Sequence, residues 1–449
     1  MTTLLAIQWA SVGIKTLQFI LSFSILVVLH ELGHYLPARW FKCRVEKFYL
    51  FFNPYFSLYK KKIGDTEWGI GWIPFGGYVK IAGMIDESMD KEQMKQPAQP
   101  YEFRAKPAWQ RLIIMVGGVI VNILLAIVIF IGITFVWGDE HLPPQNLQYG
   151  LYADSLGQKM GIKSGDIITS VNGKPLEDIS RAAAEIVIND AQNITVMRGK
   201  DSIVLPVPEA IISSLKENRL GGFVAIQYPA IVDSVLGSAV FSNNTLLKKG
   251  DTIIALDNKP CQYFHELKAI LEPIDNRYVS LKVLRNKDTV EVKCLIKDGK
   301  IGFAQVSPTK LFVTKTQTYS FFASIPLGLH RCFETLDNYV AGVKKIFTGK
   351  EKAKNSLGSI ISIGNAYSGR WDWQSFWSLT GIFSIILAFM NILPIPALDG
   401  GHALFEIIEI VIGRKPSDRF MEIAQTVGMI LLMGLMAYAL GLDFWRLLK

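Results

Sequence analysis

Four stretches of this chain contain no Asp, Glu, Lys or Arg, and they limit its fold more than any other feature. They run from Thr16 to Leu29 (continuing past His30 and Glu31 toward Pro37), Leu112 to Trp137, Trp373 to Leu398, and Ile423 to Leu442. A helix needs about 20 apolar residues to cross the hydrocarbon core of a bilayer, and soluble folds rarely bury uncharged helices of that length. Half of the 449 residues are hydrophobic. The pattern predicts a polytopic α-helical membrane protein with four transmembrane helices.

The charges between the spans set an orientation. Residues 37–111 carry 13 Lys/Arg against 8 Asp/Glu, and the loop between the third and fourth spans holds Arg414, Lys415 and Arg419. Residues 138–310 are balanced at 20 against 20, and residues 1–15 carry only Lys15. Cytoplasmic loops hold the excess of Lys and Arg, so both short basic loops are expected inside and the large middle segment outside. Arg446 and Lys449 pull mildly the other way. The net charge of +8 is spread along the chain, with no dense basic run interleaved with aromatics, so no nucleic-acid partner is expected. The N-terminus lacks a basic leader region and is not read as a cleavable signal. Cys43, Cys261, Cys294 and Cys332 show no C-x-x-C spacing, which excludes a zinc ribbon or thioredoxin-type site. Cys261 and Cys294 both fall in the outside segment, where pairing is open to them.

Residues 138–310 follow a different grammar. Short β-branched runs alternate with Gly, Asn and Asp turns, and one pattern occurs twice. Ile162-Lys163-Ser164-Gly165-Asp166-Ile167-Ile168 matches Leu247-Lys248-Lys249-Gly250-Asp251-Thr252-Ile253, and Asn172-Gly173-Lys174-Pro175 matches Asp257-Asn258-Lys259-Pro260. A tight Gly-Asp turn feeding a strand, then a turn favouring positive φ, predicts two copies of one small α+β module. Asn258 replaces the glycine of the first copy, and the Asn243-Asn244-Thr245 loop is irregular. Residues 60–83 mix aromatic and β-branched residues with glycines and read as a β-hairpin. Its apolar character suggests that it dips into the membrane interface, where non-helical backbone is tolerated only against protein or a wet cavity. Residues 319–370 are amphipathic, as expected of helices at the membrane surface or of a linker packed on the second module.

The residues with chemistry begin at His30-Glu31-Leu32-Gly33-His34. Helical positions i and i+4 share a face, so both imidazoles can grip one zinc ion while Glu31 stands beside it as a base for bound water. Three ionisable groups on one turn of an apolar helix cost several kcal/mol unless they are used. Catalytic zinc takes three protein ligands and keeps one position open, so a third ligand must come from elsewhere. Asp399 closes the third apolar stretch in "NILPIPALDGGH", where Pro394 and Pro396 forbid regular helix and Gly400 and Gly401 permit close approach. It is the expected third ligand, with His402 as its rival. Glu406 and Glu409 are expected at the cytoplasmic boundary.

With "HELGH" in the first span and "NxxPxPxLDGGH" in the third, the chain resembles the site-2 protease family of intramembrane metalloproteases. The repeated module resembles the PDZ domain of bacterial envelope proteases. Two such modules between the second and third of four spans make the chain similar to the regulator-of-sigma-E protease group, the RseP type. "IPFGGYVKIAG", "FRAKPAWQRLIIMVGGVIVN" and "LGSIISIGNAY" look like that group's intervening blocks. The resemblance implies a zinc metalloendopeptidase in which His30, His34 and Asp399 hold zinc and Glu31 is the general base. Asn391 would position the substrate backbone, with a helix–helix hydrogen bond as its alternative role. Gly76, Gly77, Tyr78 and Val79 would belong to a membrane re-entrant β-loop that binds substrate.

The resemblance further implies a multi-pass protein of the bacterial inner membrane, in contact with lipid, with its PDZ modules on the periplasmic side. Its substrates would be single-span proteins such as anti-sigma factors and remnant signal peptides, cut in regulated intramembrane proteolysis and stress response. The PDZ pair would filter substrates by size or bind their C-termini. The implied division is 1–137 (first two spans and the hairpin at about 60–83), 138–222 and 223–310 (PDZ modules), 311–372 (membrane-proximal helices) and 373–449 (last two spans). The chain departs from the family pattern at Phe51-Phe52-Asn53-Pro54, at Gly118-Val119, where a Gly-Pro is usual and Asn122 is kept, and at Ser359, where Pro is usual. A membrane scaffold that binds without cutting is one rival reading; the intact His30, Glu31, His34 and Asp399 argue against it. A metal transporter is another, and the absence of repeated broken helices among the spans argues against that.

Overall fold

A computed structural model describes residues 9–84, 97–217, 222–236, 239–242, 245–297, 299–348 and 360–448. The chain divides into two compact units, Asp139–Gln317 and the flanking segments Met1–Gly138 with Thr318–Lys449.

The flanking unit is built on long helices: α1 Trp9–Trp40, α2 Ala108–Trp137, α3 Phe321–Phe347, α4 Ile360–Ala366, α5 Trp373–Ile392, α6 Asp399–Ile412 and α7 Asp418–Leu448. Among the described residues, four helical segments are long and apolar enough to cross a membrane: Trp9–Trp40, Ala108–Trp137, Trp373–Ile392 and Arg419–Asp443. They fit a polytopic membrane protein. α1 and α2 touch backbone to backbone, because Gly33 and Gly117 face each other with no room for a Cβ on either. α5 starts where the Asp372 carboxylate accepts the Ser375 N–H at 3.0 Å. It stops before Leu393-Pro394-Ile395-Pro396, and Leu393 is already extended (φ −61°, ψ 143°). α6 ends at Gly413 in the left-handed conformation (φ 73°).

Between α1 and α2 the expected hairpin is part of something larger. Strands β1 Val45–Phe52, β2 Tyr59–Ile63, β3 Thr66–Ile70 and β4 Ile73–Ile81 form one sheet in the order β2-β3-β1-β4. β2 and β3 make the hairpin. β4 pairs antiparallel with β1, and β1 runs parallel to β3. The extra strand comes from the aromatic run at residues 45–52, whose Val45, Phe48 and Tyr49 are buried. Tyr49 stacks on Tyr78 with ring centroids 5.3 Å apart and donates to Glu67 Oε1 at 2.7 Å. The register shifts between Leu50 and Phe52, and Phe51 sits at φ 70°. The unusual Phe51–Pro54 segment is thus a bulge ending β1. Gly76, at φ 127°, packs against the Phe52 ring.

The amphipathic pattern in 319–370 begins as helix α3. This helix packs along α2, where Cys332 joins Ala126, Ile129, Phe130, Ile133 and Ile385 in one apolar cluster. Gly328 lies against the backbone of Ile131, and Arg331 Nη1 donates to Thr134 Oγ1 at 3.3 Å. Small residues at 328 and 332 permit this approach. The basic turn at 349–352, Ser359 and the Asn243-Asn244 pair lie outside the described residues.

Asp139–Gln317 contains two separate hydrophobic cores. The first gathers Ile168, Ile186, Ile194, Val196 and Leu215, and it also takes Phe223 and Phe312. Val224–Ile226 pairs with Leu151–Ala153 of the first module. The first module therefore extends past residue 222, and the unit closes at Gln317 rather than 310.

The repeat is physical as well as sequential. Asp166 and Asp251 are each 1% exposed. Arg198 grips Asp166 through Nε (2.8 Å) and Nη2 (2.7 Å), and Arg285 grips Asp251 at the same two distances. Lys163 N–H and Lys248 N–H donate to the same two carboxylates at 2.9 and 2.8 Å. Burial alone would raise both carboxyls, but the guanidinium and the backbone N–H hold them below the ordinary carboxylate range. The turn at Asp257-Asn258 has φ 46° and 64°, so Asn258 fills a left-handed position that Gly173 fills in the first copy (φ 75°). Cys261 and Cys294 are buried and free, not paired.

Candidate active site

α1 places His30 and His34 one turn apart, both buried, with their rings edge to face at 4.8 Å. The carbonyl of Ile114 on α2 can only accept, so it takes the Nδ1–H of His34 at 2.8 Å and leaves Nε2 free to bind. Asp399 opens α6, brought back to α1 by the Pro394–Pro396 break. Gly400 and Gly401 pack so closely on the backbone of Ile392–Pro396 that no Cβ would fit. Gly118 on α2 likewise lies where a side chain would overlap both imidazoles.

Three donor atoms converge. His30 Nε2 and His34 Nε2 lie 3.2 and 3.3 Å from Asp399 Oδ2 and 3.3 Å from each other. Asp399 Oδ2 is buried and makes no well-directed hydrogen bond, although both contacts are within ion-pair range. The proximity is real and the alignment poor, as it is when three groups aim at a common point rather than at one another. Zinc–ligand bonds of about 2.0–2.1 Å in a tetrahedron would give ligand–ligand edges of about 3.3–3.4 Å. The donor set and its three edges therefore fit zinc with a fourth position left open. Among the described residues these three form the cluster able to hold a metal. His402 stands in the same cleft, in the first turn of α6, and is not part of that cluster.

Glu31 opens on a cleft of about 430 Å³ with His30, His34, Asp399, Gly77, Tyr78, Val79, Ala397 and Leu398. Among the described residues β4 has a partner on one side only. It lies along α1, where a Cβ at Gly77 would sit 2.6 Å from Val27 Cγ1 and 3.6 Å from Glu31 Cγ. Gly77, Tyr78 and Val79 thus line the cleft, whereas Gly76 turns toward Phe52. Asn391, in the last turn of α5, brings Nδ2 to 3.2 Å from His30 Nε2.

A model of peptidase family M50 matches residues 18–435. The chain belongs to peptidase family M50. This M50 peptidase is 28% identical to a protein of Neisseria meningitidis over 96% of the chain and 99% of the relative. It is 30% identical to one of Xylella fastidiosa over 94% and 96%. Both are named zinc metalloproteases. It is 27% identical to the regulator of sigma-E protease RseP of Escherichia coli over 96% and 98%. It is accordingly a zinc-dependent metalloprotease of the site-2 type, a peptide hydrolase in a membrane.

Two features of this M50 site were not assigned from sequence. Asn122, in the middle of α2 and fully buried, contacts His30 Nδ1 at 3.1 Å. The sequence marked it as a lone amide in an otherwise apolar span and as a position kept from the family pattern, without giving it a role. Glu406 and Glu409 hold buried Arg111 at 3.0 and 2.6 Å, a pairing the sequence did not signal. Glu409 is the closer partner. Burial pushes the Glu406 carboxyl up to about 7 against the pull of Arg111.

Proposed function

We propose that this peptidase cuts single-span membrane proteins within their transmembrane segments, with His30, His34 and Asp399 holding zinc and Glu31 as the general base. The observation that carries the reading is the convergence of His30, His34 and Asp399 beside Glu31 under the open edge of β4. When bound, zinc supplies Lewis acidity, polarising the scissile carbonyl and acidifying water toward a pKa of about 7. Glu31 takes a proton from the attacking water and returns it to the leaving amine nitrogen.

A substrate helix has its peptide groups bonded internally and must unwind before its carbonyls can be attacked. The freed N–H and C=O groups need partners. The edge of β4 at Gly77, Tyr78 and Val79 supplies them by strand addition, and Gly76 sets the bend that presents this edge. Asn391 holds the substrate backbone against the site. Its amide lies 3.2 Å from His30 Nε2, a position beside the cluster that supports this role.

The two modules of Asp139–Gln317 act as PDZ domains on the periplasmic side of the inner membrane and control access, admitting substrates already trimmed outside. The positive loops at 37–111 and 414–419 support that orientation. The name of the relative RseP, a regulator of sigma-E protease, supports substrates of the anti-sigma-factor kind; remnant signal peptides are a second proposed class. The test is cleavage of a single-span substrate in liposomes, with cut sites mapped by mass spectrometry. Cuts inside the span, abolished by a chelator and restored by zinc, are expected. Cuts confined to the flanking soluble segments would contradict the reading.

A further inference from the structure

We infer that Asn122 is a positioning residue for His30, accepting its Nδ1–H through the side-chain carbonyl and so fixing the tautomer that offers Nε2. This rests on the zinc site proposed above. Asn122 is fully buried and held from two sides. Its amide meets His30 Nδ1 on α1 at 3.1 Å, and its backbone carbonyl accepts from Ser384 Oγ on α5 at 2.7 Å. One residue thus ties together the helices that carry the first ligand and Asn391.

The argument is one of donors and acceptors. His30 Nε2 is the atom that faces Asp399 and His34. An imidazole that gives its Nε2 lone pair to a metal carries its proton on Nδ1, and that N–H needs an acceptor. His34 finds one in the Ile114 carbonyl. At His30 the group in range is the Asn122 amide, placed with Nδ2 toward the ring and Oδ1 buried without a partner. The two orientations of an amide have nearly the same shape and are chosen by their hydrogen bonds. Each orientation leaves one amide atom unpaired, so the count of orphans does not choose between them. The imidazole does: with Nε2 ligating, only Oδ1 toward Nδ1–H makes a bond, while Nδ2 there sets donor against donor. Metal binding at His30 and rotation of the Asn122 amide are therefore one event.

The test compares zinc affinity, by competition with graded chelator, and thermal unfolding in the full-length protein carrying Asn122→Leu, Asn122→Asp and His30→Ala. Asn122→Leu keeps the branched shape and loses the acceptor, so zinc binding is expected to weaken by about 10- to 100-fold in a protein that still unfolds cooperatively. Asn122→Asp offers an acceptor in either orientation and is expected to hold zinc at least as tightly as the parent. Wild-type zinc affinity in Asn122→Leu would overturn the inference. So would equal loss in Asn122→Leu and Asn122→Asp, which marks a packing role. If Asn122→Leu does not fold, Asn122→Asp decides alone, and release of its zinc overturns the inference. His30→Ala separates the two levels: if it keeps zinc, the proposed site itself fails, and if it loses zinc while Asn122→Leu does not, only this inference fails.

Discussion

The Nδ1–H of His34 is bonded to the main-chain carbonyl of Ile114 at 2.8 Å, so the ring on α1 is set by the backbone of α2. No side-chain substitution at Ile114 removes that acceptor, but a change in the approach of the two helices can. Gly118 lies one turn beyond Ile114, against both imidazoles. A methyl at Gly118 must displace them, and overpacking of this kind costs about 1–3 kcal/mol. Directed into the site, that is roughly 10- to 100-fold in zinc affinity. Gly118→Ala is expected to lose zinc on dialysis that leaves the parent loaded, measured by metal analysis.

Asn391 touches the proposed ligand His30 but is not one of the three converging groups. Asn391→Leu keeps the shape and removes the amide. A substrate hydrogen bond is worth about 0.5–1.5 kcal/mol, so kcat/KM is expected to fall roughly 2- to 10-fold with zinc content unchanged. Steady-state cleavage with parallel metal analysis reads both. Loss of zinc instead would make Asn391 part of the metal site's support.

Asp166 and Asp251 titrate below the ordinary carboxylate range in the folded modules. Folded values below the unfolded value of about 3.9 mean that their stabilisation is complete above that pH. It is lost as pH falls through the lower folded values. Hydrogen exchange in peptides from 139–317 is expected to be flat from about pH 7 to 5, after correction for intrinsic rates, and to show opening only below about pH 4. Arg285→Met removes the partner of Asp251 and should move that opening to higher pH in the second module alone.

Burial pushes the Cys261 thiol up to about 11 and the Cys294 thiol up to about 12. The thiolate is the reactive form, so neither should alkylate at pH 8 in the folded protein. Both should alkylate in denaturant without prior reduction, since they are free. Mass spectrometry after labelling checks this.

The meeting of His30 and His34 could be read from sequence because its rule is local: they are four residues apart on one helix. The convergence of Asp399 on them could be read by scarcity, as a carboxylate at the end of an apolar stretch broken by two prolines. β1 could not, because a continuous run such as Tyr49-Leu50-Phe51-Phe52 lacks the alternation that marks a strand, and its partner β4 begins at Ile73. Nor could Arg198 and Arg285, which lie 32 and 34 residues from the aspartates they hold. The packing of α3 on α2 depends on Gly328 and Cys332 meeting a helix almost two hundred residues earlier, as the Arg331–Thr134 separation of 197 shows. Local spacing carries chemistry well, and contacts between distant segments leave little trace in one sequence.

The most direct test of the central claim is cleavage and zinc content measured together for the parent, Glu31→Gln and Asp399→Ala, each reconstituted with a single-span substrate. Glu31→Gln is expected to keep its zinc and lose about 10²- to 10⁴-fold in rate, the usual worth of a general base. Asp399→Ala is expected to lose both zinc and cleavage. Parent-like cleavage by Glu31→Gln, or full zinc and activity in Asp399→Ala, would contradict the account.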